Sequence, residues 1–118
     1  MRVAVDAHAV AQPTPGDAGN ARWIKNLIHA LVTTAGPRDD VVAMIAHDQA
    51  RERIDPAVPL LEVTDRNAPR LLRGAPHAMR RAHADVGVFN YVAPFRGRTP
   101  AAVVVHDAAF VTNPEWFS

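Results

Sequence analysis

The residues of this chain best suited to chemistry are His106 and Asp107, which close the apolar run Ala101-Ala102-Val103-Val104-Val105. The run reads as a central strand buried on both faces, and the carboxyl ends of such strands are where open α/β sheets hold ligands. A histidine there can donate to a substrate hydroxyl or phosphate. A capped strand end with an internally satisfied histidine fits the same residues equally well. A second candidate is the loop Gly16-Asp17-Ala18-Gly19-Asn20-Ala21-Arg22. Its glycines let backbone N–H groups approach an anion at the positive end of a following helix, and Arg22 adds a charge. The spacing is not G-x-G-x-x-G, and a loop that only needs positive φ would carry the same glycines. His8 lies close by, in the loop after the first apolar run.

Other chemistries find little support. His29, His47, His77 and His83 show no H-x-x-x-H spacing, so no metal site is expected. The only serine is Ser118, and cysteine is absent, which excludes serine-type acyl transfer, disulfides and thiolate metal sites. Trp23, Trp116 and Phe117 read as packing residues rather than a stacking platform, since Trp23 shares the apolar face of a helix.

The elements that must position these residues alternate. Val3-Ala4-Val5 is a short strand ending at Asp6, followed by a Pro- and Gly-containing loop from His8 to Asp17. Trp23, Ile24, Leu27, Ile28 and Leu31 recur at three- and four-residue spacing, an amphipathic helix that Gly36-Pro37 closes. Val41 to Ala46 is a second strand, Leu60 to Val63 a weaker third, Asp85 to Tyr91 a fourth and Ala101 to Val105 a fifth. A small helix over Ala75 to Ala84 is expected, started by Pro76. Strands alternating with crossovers imply an α/β class: a Rossmann-like parallel sheet of about five strands with flanking helices.

With 118 residues, a formal net charge of +1 and 21% charged side chains, the chain fits one domain and carries no electrostatic signature of a nucleic-acid partner. No apolar run approaches the ~20 residues of a spanning helix, and no signal peptide is visible, so a cytoplasmic protein is expected, with peripheral membrane contact left open. Asn113 reads as an N-cap, Pro114 as a first helical residue and Glu115 as a first-turn anion, yet the sequence stops about one turn later. Residues 1–118 are therefore expected to be a single, incomplete domain whose exposed strip favours self-association.

Taken together, Met1-Arg2-Val3-Ala4-Val5-Asp6-Ala7-His8, Ala18-Gly19-Asn20-Ala21-Arg22-Trp23, Asn90-Tyr91-Val92-Ala93-Pro94, Val104-Val105-His106-Asp107 and Pro114-Glu115-Trp116-Phe117-Ser118 resemble the amino-terminal domain of family-four (group 1) retaining glycosyltransferases of the GT-B fold. The family's first loop reads Gly-x-Gly-Arg-Tyr. Gly19 and Arg22 match it, Ala21 stands at the second glycine and Trp23 at the tyrosine, and the family's Asp-Ala-Arg appears as Asp6-Ala7-His8. The resemblance implies an acceptor-side half-domain, with His106 and Asp107 as catalytic-cleft residues. It implies Gly19, Asn20, Arg22, His8, Asn90 and Tyr91 as substrate-binding residues, and neither metal nor cofactor. The partners it implies are a sugar acceptor and a nucleotide-sugar co-substrate. The glutamate pair, eight positions apart, that the family's donor domain supplies has no counterpart among Glu52, Glu62 and Glu115. The fragment is thus expected to be inactive alone. A non-catalytic interaction module, a decayed gene product and an unrelated Rossmann-like nucleotide-binding protein are the alternative readings.

Overall fold

A computed structural model describes residues 1–11, 18–106 and 109–117. Its strands are β1 (Arg2–Asp6), β2 (Asp40–Ile45), β3 (Leu60–Glu62), β4 (Val86–Asn90) and β5 (Ala101–Val104). The helices are α1 (Ala18–Thr34), α2 (Asn67–Pro69), α3 (Ala75–Arg81) and α4 (Ala109–Thr112). A π-helical turn (Arg70–Gly74) joins α2 to α3, and 3-10 turns cover Asp48–Glu52 and Pro114–Phe117. All strand pairs are parallel and the order is β3-β2-β1-β4-β5, an α/β Rossmann-like arrangement. Val3 registers with Val41 on one side and with Val86 on the other.

Side-chain alternation along the strands divides the core into two layers. Val3, Val5, Val41, Ala43 and Ile45 point to one face and meet Ile24 and Ile28 of α1, with Trp23, Leu27 and Leu31 half-buried around them. Ala4, Val42, Met44 and Phe89 point to the other, under Leu71, Ala75, Ala78, Met79 and Ala82. The stripe expected from sequence is therefore the face of α1 that covers the sheet. At its carboxyl end the Thr33 and Thr34 hydroxyls donate back to the carbonyls of His29 and Ala30, at 2.9 and 2.7 Å. Such bonds compete with continuation of the helix ladder.

Three expectations need correction. The helical stretch before β4 begins at Asn67, not Ala75, and ends at Arg81. Pro69 falls in its first turn, where no donor is needed. The π turn, closed by Ala75 N–H on the Arg70 carbonyl, shifts the ladder just before Pro76. The helix expected from Asn113 is a single 3-10 turn, preceded by the unexpected α4, and the Asn113 side-chain amide donates to the Thr112 hydroxyl at 3.0 Å. Finally, β5 is not central. It pairs only with β4 among the described residues, and Val103 stays 43% exposed because neither helical layer reaches it. Among the described residues no helix is long and apolar enough to cross a membrane.

The far end of the sheet is tied by the Met1 amine, which donates to Asp39 Oδ1 at 2.9 Å and to the Arg38 carbonyl at 2.8 Å. The bond from Asp39 raises the amine above its usual range, and the same bond, with one from the Gly36 N–H, lowers the Asp39 carboxyl. A lowered carboxyl contributes stability above its unfolded value and loses it as pH falls through the folded one; the raised amine loses its contribution as pH rises through its own. Melting curves across pH should therefore show a shallow loss at both ends that Asp39→Asn abolishes.

Gly87 in β4 is required by packing: a Cβ there would lie 2.5 Å from Met79 Sδ and 2.6 Å from Phe89 Cε2. Gly19 in α1 faces open space. In urea unfolding, Gly87→Ala is expected to cost about 1–3 kcal/mol through overpacking. Gly19→Ala should stabilise by up to about 1 kcal/mol, as a helical glycine relieved of its entropy cost.

Candidate functional site

β1 and β4 lie side by side, yet the chain leaves β1 across one face of the sheet and enters β4 from helices on the other. Their diverging crossovers leave a crevice beyond the carboxyl ends of both strands, the position where open α/β sheets take ligands. β1 delivers Asp6 and His8 to it, β4 delivers Asn90 and Tyr91, and the amino end of α1 brings Gly19 and Asn20. Two adjoining cavities result, sharing Asn20 and Tyr91. One, of about 270 Å³, is lined by His8, Asn67 and Arg70 with Asn90. The other, of about 350 Å³, is lined by Gly19, Trp23 and His106.

A chain of neutral polar groups runs along this crevice. Asn90 Nδ2 donates to Asn20 Oδ1 at 2.6 Å, and Asn90 Oδ1 sits 3.3 Å from His106 Nε2. Because an amide oxygen only accepts, His106 donates from Nε2 in this contact. The ring is also held by aromatic edges: Trp23 at 4.4 Å between centroids and 81°, Tyr91 at 5.5 Å and 64°. Tyr91 itself has φ +62, an uncommon backbone state for a bulky residue, costing of order 1–3 kcal/mol. It is fixed there by its N–H on the Val104 carbonyl at 2.9 Å, while the next N–H, of Val92, closes back on the Asn90 carbonyl at 2.7 Å.

Beneath this chain lies a buried ion pair. Asp6 and Arg70 are each 4% exposed, and Arg70 Nη1 donates to Asp6 Oδ2. Arg70 Nη2 donates to Asn67 Oδ1 at 2.8 Å. The second carboxylate oxygen of Asp6 accepts from the His8 N–H at 3.3 Å and lies 3.1 Å from His8 Nδ1. Arg70 Nε is buried without a partner among the described residues. A carboxylate at the end of a buried strand demands such a partner, and the π turn is what places Arg70 under it.

Of the residues singled out from sequence, His8, Gly19, Asn20, Asn90, Tyr91 and His106 converge on the two cavities. Arg22 is exposed on α1 and lines neither, and Asp107 lies outside the described residues. Gly19, Asn20 and Arg22 belong to the first turns of α1 rather than to a loop, and Gly19 has no positive φ. His106 follows an edge strand, not a central one. Trp23 both packs on the core and touches His106, so the choice between packing and recognition was a false one. Asp6, Asn67 and Arg70 were missed; the available signal was an acidic residue ending a fully apolar strand. A wider groove of about 720 Å³ runs along the outer edge at β3, between Leu61, Val63, Arg73 and Arg81, far from the switch between β1 and β4.

No protein-family model, curated protein or solved structure matches this chain, so residues and geometry alone carry the functional reading.

The buried pair makes a sharp expectation. Arg70→Ala should cost about 3–5 kcal/mol in chemical unfolding, because it strands the Asp6 carboxylate. Asp6→Leu combined with Arg70→Met should recover most of that loss.

Proposed function

We propose that this chain is the acceptor-side half of a retaining glycosyltransferase that works in the cytoplasm. It moves a sugar from a nucleotide-sugar to a saccharide, lipid or small-molecule acceptor, the donor being held chiefly by a second domain. The observation that carries the reading is the amide and imidazole chain Asn20–Asn90–His106 beside the Trp23 and Tyr91 rings. Neutral amides offer donors and acceptors to hydroxyl groups at fixed spacing, and aromatic rings offer apolar faces to the C–H surface of a pyranose. This is recognition chemistry for a polyhydroxylated, uncharged ring. The order of motifs along the sequence, from Asp6-Ala7-His8 to Pro114-Glu115-Trp116, points the same way.

Catalysis in such a cleft is positioning and electrostatic stabilisation of the leaving diphosphate, with no resident cofactor. Ala21, in place of a second glycine, narrows the approach of a phosphate to the first turn of α1, which favours the acceptor role over the donor role. A second reading, a self-contained nucleotide-binding protein, draws on the position of that turn at the switch point.

The two readings separate by affinity. Calorimetry with nucleotide-sugars should find binding no tighter than roughly millimolar, since most donor contacts are missing. Amide NMR with methyl glycosides should move Asn20, Tyr91 and His106. Micromolar affinity for a nucleotide or nucleotide-sugar would replace the half-enzyme reading with the second one.

A further inference from the structure

We propose that the outer edge of β3, with the groove beside it, takes an acidic extended segment of a partner protein as an added strand. Two ladder bonds fix which backbone groups are free: Ala43 N–H donates to the Pro59 carbonyl at 3.0 Å, and Val63 N–H to the Ile45 carbonyl at 2.8 Å. With Leu60, Leu61 and Glu62 in register with Ala43, Met44 and Ile45, the bonding groups of Pro59, Leu61 and Val63 face β2. Those of Leu60 and Glu62 then face outward, since a parallel strand turns alternate residues to opposite neighbours. β3 is the last strand of the sheet on that side, and neither residue has a backbone partner there among the described residues. Such an edge is a template for another strand.

The groove of about 720 Å³ follows this edge rather than one face of the sheet, because residues 60 to 64 all line it although their side chains alternate between the faces. Its floor is apolar, with Leu61 and Val63 packed on the layer that holds Ala78. Its rim is basic. Arg73, His77 and Arg81 line it at four-residue steps, which puts them on one side of the helical segment. Arg73 and Arg81 are exposed and have no ion pair among the described residues. The one carboxylate that lines the groove, Glu62, already lies 2.6 Å from Arg51 Nη2. The charges therefore select an acidic occupant, and the open edge selects an extended one. Five residues of added strand span about 16 Å, a length that covers the about 12 Å between Arg73 and Arg81 along the helix axis.

The test is amide NMR with hydrogen exchange on the full chain, using the peptide acetyl-Val-Glu-Val-Glu-Val-Glu-amide and its lysine counterpart. The acidic peptide should move the amides of residues 60 to 64 and slow exchange at Leu60 and Glu62, and the basic one should do neither. Arg73→Glu combined with Arg81→Glu should weaken the acidic peptide about tenfold or more and admit the basic one. Glu62→Pro removes an N–H that points away from β2, so it should weaken binding about fivefold, whereas Glu62→Gln, which makes the groove more basic, should not. No shift at millimolar acidic peptide overturns the proposal. Equal binding by Glu62→Pro and Glu62→Gln also overturns it. So does equal movement of these residues by inorganic phosphate or phosphatidylglycerol vesicles with no slowed exchange at Leu60 and Glu62, which marks a charged surface rather than a strand site. If Glu62→Pro fails to fold, exchange at Leu60 and Glu62 of the unaltered chain decides alone.

Discussion

A carboxylate at the end of a strand that is otherwise wholly buried cannot remain charged there alone, and the Asp6–Arg70 pair answers that constraint. Its consequences spread outward. Arg70 must reach under β1, which sets how the helical segment before β4 lies on the sheet, and the π turn supplies the local change of pitch. Asn67 is held by the same guanidinium, and His8 by the other oxygen of the same carboxylate. One buried pair thus fixes three of the side chains lining a cavity. Hydrophobic packing of Leu71 and Met79 against Met44 and Phe89 supplies the free energy that keeps the pair out of water.

The second half of the crevice is built by a different device. Tyr91 is held in a left-handed conformation, and the strain is offset by ladder-like hydrogen bonds at the ends of β4 and β5. The conformation turns the chain at the end of β4 so that the Tyr91 ring, not its backbone, meets His106. Asn90, one residue earlier and still in the strand, reaches across to Asn20. The aromatic and amide groups therefore come from rigid strand ends and the first turns of a long helix, which suits recognition that depends on fixed spacing.

The parts of the fold that depend on local pattern were legible in the sequence. The Ile24, Leu27, Ile28, Leu31 stripe gave α1, and short apolar runs with turn signals gave all five strands within a residue or two. What escaped depends on distance or order. The Asp6–Arg70 pair joins residues 64 apart, and nothing near Arg70 distinguishes it from the surface arginines Arg66 and Arg73. Apolarity alone suggested that β5 is covered on both faces, whereas its place at the sheet edge follows from strand order, which no single run encodes. Pro76 reads as a helix starter, yet it follows a π turn inside a longer helical stretch that begins at Asn67, and no local signal marks that earlier start. Most of the candidate site was legible because its members sit just after strands, where the α/β plan puts ligands whatever the sequence of the core.

The two cavities differ in a way that divides the work between them. The one at β1 is backed by an ion pair and a carboxylate-bound imidazole, so the charged groups of the crevice gather there. The one at α1 and β5 is walled by Trp23, Tyr91 and an imidazole held by an amide, so it offers surface and hydrogen bonds with little charge. Asn20 and Tyr91 belong to both walls. A ring-shaped ligand resting on the aromatic side would extend its substituents across Asn20 toward His8. Charge gathered at one end and neutral amides and rings at the other mean that the two walls sort a ligand's groups by polarity, the shared Asn20 and Tyr91 fixing the spacing between them.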